Sequence, residues 1–206
     1  MASGRAIVWH GEIRKEVLMA IGLAELWRAG NTAEVVRAAN DGGLSDPFIL
    51  ATDSVHVNLH LSLIRLFDED PRSLAFKTLF RELGASDVDD IAEFQRARVL
   101  FDSANTTRHR REIKNLRNKV LAHTDATSGK KHDARYGDEM ALLREVREIF
   151  EAFSAAISMP SGLMTAPAGF AASARKFWAA TLRSDRSMPS TIQQGQWPRK
   201  TSPQMS

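Results

Sequence analysis

Apolar residues recur every three or four positions through most of the chain, and this spacing restricts it to packed helices. Residues 12–28 carry one such stripe (Ile13, Val17, Ala20, Ile21, Ala24, Trp27), and residues 138–157 carry another (Leu142, Leu143, Val146, Ile149, Phe150, Phe153). This period places the apolar side chains on one face of an α-helix. Glycine and proline are scarce between residues 50 and 158, which also favours helix. The predicted fold class is therefore all-α, a compact helical bundle.

Turn and capping residues divide the chain into elements. The alternating run from Val55 to Leu63 lies inside a longer helical pattern, so its length favours helix over strand. The predicted helices cover 12–28, Thr32 to Ala39, Ser45 to Phe67, 72–83, about 88–104 with a cap at Ser86-Asp87, a basic segment from the break at Asn105–Thr107 to about 122, and 138–157. Residues 124–136 are polar and predict a loop.

Met159-Pro160 marks the end of the predicted main domain, residues 1–158. Residues 159–206 are predicted to hold a linker, one short basic amphipathic helix within 170–183, and a flexible tail. The tail beyond Ser184 is rich in Ser, Pro and Gln and offers little apolar surface. We therefore expect the tail to be dispensable for folding.

Several classes of protein are disfavoured by composition. The chain has no cysteine, so disulfide frameworks and thiolate metal sites are excluded. Charged residues interrupt the N-terminal segment, which argues against a secretory signal, and no run approaches the roughly 18 apolar residues of a membrane span. We expect a cytoplasmic protein with no membrane partner.

Positive charge is concentrated in two segments, although the net charge is only +3. Residues 108–135 hold nine Lys or Arg against three acidic residues, and residues 159–206 hold six against one. This asymmetry favours a polyanionic partner such as RNA. A solvated helix face is the alternative explanation for a run of charge.

Two histidines, His56 and His60, are four residues apart and share a predicted helix face, so they could share a metal ion. A zinc-protease motif would need a glutamate directly after His56, where Val57 stands. Hydrogen-bonded, partly buried histidines are the preferred interpretation, and no metal or cofactor is expected. Glycine-rich phosphate loops and serine-nucleophile motifs are also missing from the sequence.

The basic segment ends in the cluster Arg117-Asn118-x4-His123. At about 100° per residue, Arg117 and His123 lie about 120° apart around a helix axis, on either side of an apolar arc that begins at Ile113. They cannot converge on one small group within a straight helix. A bend near His123 or a second, two-fold related copy would bring them together, so we expect a homodimer.

These side chains suit cleavage of an RNA phosphodiester. His123 can transfer a proton as general acid or base, and Arg117 can stabilise phosphate charge. Asn118 can orient the histidine or hydrogen-bond the phosphate. No metal is required, because the 2′-hydroxyl is the nucleophile. Nearby cations would attract RNA non-specifically: Arg110, Arg111, Lys114 and Lys119. The alternative is that these residues serve as helix caps and surface contacts.

Arg117-Asn118-x4-His123 resembles the Rx4-6H signature of HEPN domains. The strings "LRNKVLAHTD" and "LSLIRLFDED" resemble the abortive-infection, AbiU-type HEPN subfamily, and the likeness covers roughly residues 10–157. The resemblance implies a helical bundle and a metal-independent endoribonuclease that acts as a homodimer in phage defence or toxin–antitoxin systems. An antitoxin protein is then a further candidate partner, and 2′,3′-cyclic phosphate ends are expected on the products.

The chain departs from one HEPN toxin pattern. Toxins paired with nucleotidyltransferase antitoxins often carry a modified tyrosine two positions after the histidine, where Asp125 stands here, and the only tyrosine is Tyr136. Control by that modification is therefore not expected. The rival hypothesis is a non-catalytic helical module that binds a protein or nucleotide and has kept the motif for structural reasons. Some HEPN proteins are non-catalytic.

Overall fold

The computed structural model describes residues 4–70, 72–84, 88–116 and 136–183. Within these residues the chain forms eight α-helices and no strand, which confirms the all-α fold class. The helices are α1 (Gly4–Gly30), α2 (Ala33–Asp41), α3 (Ser45–Arg65), α4 (Phe76–Leu83), α5 (Ile91–Thr106), α6 (Arg108–Leu116), α7 (Tyr136–Ala156) and α8 (Ala166–Arg183).

The core forms where α1, α3, α5 and α7 pack together, with α5 against α7 and α1 against α3. The stripe predicted on α1 is buried from Ile13 to Ala24, and the stripe predicted on α7 is buried from Leu142 to Phe153. Six phenylalanines fill the space between α4, α5 and α7, with neighbouring ring centroids 5.5–6.2 Å apart: Phe67, Phe76, Phe80, Phe94, Phe101 and Phe153.

Local capping explains where several helices begin. The Thr32 side chain accepts a hydrogen bond from the Val35 backbone N–H and caps α2, as predicted. The predicted start of α5 was wrong: Asp90 is the cap, and it accepts from the Glu93 backbone N–H. The proposed cap at residues 86–87 lies outside the described residues. Helix α4 begins at Phe76, four residues later than predicted.

Helix α8 packs along α1 through Trp178. The Trp178 ring is buried, and its Nε1 donates a 2.9 Å hydrogen bond to the Leu26 carbonyl near the end of α1. The bond therefore ties α8 to the C-terminal end of α1. Gly30 permits the approach, because a Cβ at position 30 would lie 2.9 Å from the indole. The helix predicted within 170–183 is therefore present, starts at Ala166 and is docked on α1.

None of the helices in the described ranges is long and apolar enough to cross a membrane. The predicted loop of residues 124–136 and the predicted tail beyond residue 183 fall almost wholly outside those ranges.

Candidate functional site

Helix α6 leads directly into the predicted catalytic cluster. Thr107 separates it from α5, as the sequence predicted, and the Thr107 hydroxyl accepts from the Arg110 backbone N–H at the start of the new helix. Ile113 is fully buried, in agreement with the apolar arc. Arg117, Asn118, Lys119 and His123 lie outside the described residues, and helices α6 and α7 flank them in the chain.

The cations of α6 occupy different environments. Arg111 is exposed and Lys114 is half-buried. The Arg110 side chain is only 12% exposed, and its guanidinium donates to the carbonyls of Asn105 (3.2 Å) and Phe67 (3.3 Å). It also contacts Glu69 at 3.4 Å. Arg110 therefore ties α6 to the turn that follows α3, and only part of its charge faces solvent.

Lys114 and Arg110 line a small cavity of about 110 Å³ between α6 and that turn. Asp68 and Glu69 form the acidic side of the same cavity, and Phe67 forms part of its apolar wall. The mixture of charges does not favour a polyanion inside the cavity. Contact with RNA phosphates from this part of α6 would have to use the outer face of the helix, where Arg111 lies.

A long-range hydrogen bond joins the two ends of the segment that contains the cluster. Nδ1 of His109, in the first turn of α6, lies 2.8 Å from Oδ1 of Asp138, in the first turn of α7. Asp138 is buried, and the His109 side chain is 35% exposed. The chain leaves α6 after residue 116 and enters α7 at residue 136, so this bond holds both flanks of residues 117–135 together.

The neighbouring acid on α7, Glu139, binds both histidines of α3. Its Oε1 atom lies 3.0 Å from Nε2 of His56 and 2.7 Å from Nε2 of His60. Burial acts to raise the pKa of Glu139, but the two histidine hydrogen bonds outweigh it and lower the pKa to about 2. The carboxylate is therefore ionised and accepts from both rings. The two histidines are hydrogen-bonded, as the sequence predicted.

A third acid of α7 faces the start of α6. Burial is the largest influence on Glu145 and raises the pKa of its carboxyl above 4.5. The nearby charge of His109 and a hydrogen bond with Thr107 act in the opposite direction. Three carboxyls of α7 therefore bind partners on other elements. Asp138 binds His109 of α6, Glu139 binds two histidines of α3, and Glu145 binds Thr107, between α5 and α6.

Sequence reasoning missed His109, Asp138 and Glu139. His109 binds Asp138, and Glu139 binds His56 and His60, so the paired residues lie 29 to 83 positions apart in the chain. No local spacing in the sequence indicates these hydrogen bonds. The one available signal was the pair His56 and His60, which share a helix face and pointed to a common partner.

Comparison with known proteins identifies the family of the chain. The HEPN family model described as AbiU2 matches residues 5–173. The match covers α1 to α7 and the first part of α8, further than the resemblance over residues 10–157 had suggested. No curated protein and no solved structure shows significant similarity to the chain. Since the match spans most of its length, the chain belongs to the AbiU2 family of abortive-infection HEPN domains.

Proposed function

We propose that this chain is a metal-independent endoribonuclease of an abortive-infection or toxin system, with Arg117, Asn118 and His123 as its catalytic residues. The observation that carries the proposal is the AbiU2 match over residues 5–173, which includes the Arg117-Asn118-x4-His123 cluster. The His109–Asp138 bond adds support, because it anchors both flanks of the segment that holds the cluster.

The chemistry follows from the side chains. A general base removes the proton of the 2′-hydroxyl, and the 2′-oxygen attacks the adjacent phosphorus. The bond from phosphorus to the 5′-oxygen then breaks, and a general acid protonates that oxygen. His123 serves in one of these proton transfers. Arg117 stabilises the negative charge of the transition state, and Asn118 orients the reacting groups. The products carry a 2′,3′-cyclic phosphate and a 5′-hydroxyl.

RNA binding is proposed to rest on Arg111 and Lys119, with smaller roles for Arg110 and Lys114, which line the cavity shared with Asp68 and Glu69. The exposure of Arg111 supports its role, whereas the Arg110 guanidinium already donates to two backbone carbonyls. Phosphate contacts of this kind add affinity without sequence preference and weaken with salt.

A homodimer is proposed because Arg117 and His123 cannot meet on one straight helix. A two-fold axis near α6 would let Arg117 of one subunit work with His123 of the other. Light scattering of the purified chain at micromolar concentration tests this, and a strict monomer would contradict it. An antitoxin protein remains a proposed further partner.

The decisive experiment is cleavage of total RNA by the purified full chain in EDTA. His123→Ala should lower the rate by roughly 10²–10⁴-fold while leaving RNA affinity nearly intact, as expected for the loss of a proton-transfer group. Arg117→Ala should lower the rate and also weaken binding, because a guanidinium contacts phosphate in the ground state too. Lys119→Ala should weaken binding to all sequences and flatten the salt dependence.

A matched control is His132→Ala, which removes a histidine from the same segment but outside the cluster. It should cleave like the wild type. An RNA with 2′-deoxyribose at the cut should be inert. If the wild type cleaves no RNA either with or without EDTA, or if His123→Ala cleaves as fast as the wild type, the chain is instead a non-catalytic module that binds a protein or nucleotide.

A further inference from the structure

The cluster of His56, His60 and Glu139 joins two helices in the core of the bundle. His56 and His60 lie one turn apart on α3, and Glu139 lies in the first turn of α7. His60 and Glu139 are buried, whereas the His56 side chain is 31% exposed. The Trp27 ring stacks on His56 at a centroid distance of 4.9 Å and covers one side of it. The cluster is thus shielded on most sides and reachable past His56.

Hydrogen bonding alone leaves this cluster incomplete. Both imidazole nitrogens point to the same oxygen, Oε1 of Glu139. The other oxygen, Oε2, is buried and has no hydrogen-bond partner among the described residues. A buried, ionised carboxylate normally has both oxygens bound, because leaving one without a partner carries a desolvation penalty. The two imidazoles therefore meet the carboxylate at one oxygen, and the other oxygen of the same carboxylate has no partner among the described residues.

We propose that His56, His60 and Glu139 form a binding site for a single divalent transition-metal cation, of which Zn²⁺ is the prototype. One ligand atom from each residue lies within 4.8 Å of the other two. Tetrahedral Zn²⁺ with bonds of about 2.0–2.2 Å holds its ligand atoms about 3.4 Å apart. The two Nε2 atoms lie 3.0 and 2.7 Å from Oε1 of Glu139, so they would move slightly away from that oxygen to admit the ion. The ion would replace the two N–H donors and bind the imidazole lone pairs instead.

The ligand types select the class of cation. Two imidazoles and one carboxylate suit Zn²⁺ and neighbouring first-row metals, whereas Mg²⁺ and Ca²⁺ prefer shells made entirely of oxygen. Two histidines four residues apart on one helix with a carboxylate from elsewhere give three protein ligands and leave a fourth position for water. The residue after His56 is Val57, so no glutamate stands where a zinc protease carries its general base.

The position of the site indicates what a bound ion would do. The ion would cross-link α3 to the first turn of α7 through Glu139. The preceding residue, Asp138, already binds His109 of α6. The ion would therefore stabilise the point at which the chain enters α7. The proposed catalytic residues Arg117, Asn118 and His123 are not among its ligands, so the site is independent of the proposed ribonuclease chemistry.

The test is direct metal binding by the full chain, purified without a histidine tag and stripped with EDTA. Calorimetric titration with Zn²⁺ should give one site per chain, and Zn²⁺ should raise the unfolding temperature. Co²⁺ should develop the visible absorption of a four- or five-coordinate site, whereas Mg²⁺ should have no effect. His56→Gln and Glu139→Gln should each weaken Zn²⁺ binding by more than about 100-fold, since the loss of an outer-shell partner alone costs roughly 10–100-fold.

His109→Gln is the matched control. His109 is also about one-third exposed and paired with a carboxylate of α7, but it lies outside the cluster. It should bind Zn²⁺ like the wild type. The proposal is overturned if the wild type binds no Zn²⁺, if either His56→Gln or Glu139→Gln keeps wild-type affinity, or if His109→Gln loses it. Should a variant fail to fold, the Co²⁺ spectrum of the wild type decides, and the spectrum of hexaaqua Co²⁺ counts against the site.

Discussion

The His109–Asp138 bond should stabilise the fold by a measurable coupling between the two side chains. A hydrogen bond to a charged group contributes about 1.5–3 kcal/mol, and an exposed ion pair about 0.2–1 kcal/mol. Asp138 is buried but the His109 side chain is 35% exposed, so we expect a coupling between these limits, about 1–2 kcal/mol. Asp138→Ala should cost more than His109→Ala, because a carboxylate in the first turn of α7 also interacts favourably with the helix dipole, worth about 0.3–1 kcal/mol.

The assay is urea unfolding of the wild type, His109→Ala, Asp138→Ala and the double variant at neutral pH. The free energies of unfolding form a double-mutant cycle, which removes the dipole contribution that Asp138 makes without His109. The surface pair Arg96 and Glu93 is the control cycle, since its arginine side chain is 61% exposed and its coupling should be about 0.5 kcal/mol or less. A coupling between His109 and Asp138 within about 0.5 kcal/mol of zero would refute the claim that this bond anchors the segment.

Three further predictions concern the rest of the fold. Trp178→Ala should lower the free energy of unfolding by about 3–5 kcal/mol, and Trp178→Phe by less, because the indole is buried between α8 and Gly30 of α1. A loss under about 1 kcal/mol for Trp178→Ala would contradict the docking of α8 on α1. Burial, with the Arg14 charge as a second cause, lowers the pKa of His10 below 6.5, so stability should fall as pH drops below about 6.5, and urea titrations of His10→Gln should show a flatter pH dependence. A chain truncated after Arg183 should unfold within about 1 kcal/mol of the full chain, whereas a loss of several kcal/mol would show that residues 184–206 carry part of the fold.

The features of the fold that the sequence predicted correctly depend on the spacing of residues that are close together in the chain. The stripes of α1 and α7 repeat at helical spacing, and burial of one face follows directly from that period. Helix boundaries were predicted less accurately where several residues compete to cap a helix. Asp87 and Asp90 are both good N-cap residues, and the structure uses Asp90. The choice depends on how the chain approaches α7, since the N–H groups of Asp89 and Asp90 both donate to the Ala156 carbonyl.

The site was harder to predict because charge and composition do not reveal partners. Arg110 and Arg111 look equivalent in the sequence, yet one guanidinium binds backbone carbonyls and the other side chain is exposed. The amphipathic pattern of α8 predicted a helix but did not identify α1 as its partner. Glu139 could not be connected to His56 or His60, which precede it by 83 and 79 positions.

The proposed ion changes how the cleavage experiment has to be interpreted. If a cation joins α3 to α7, EDTA will destabilise the fold, and activity will fall even though no metal takes part in the chemistry. His56→Gln separates the two effects, because it removes a ligand and leaves Arg117, Asn118 and His123 intact. If this variant, while folded, cleaves RNA at the same rate with and without EDTA, the cleavage is metal-independent. If it is folded but inactive, and added Zn²⁺ does not restore it, the cluster supports the active site in some other way than by holding an ion.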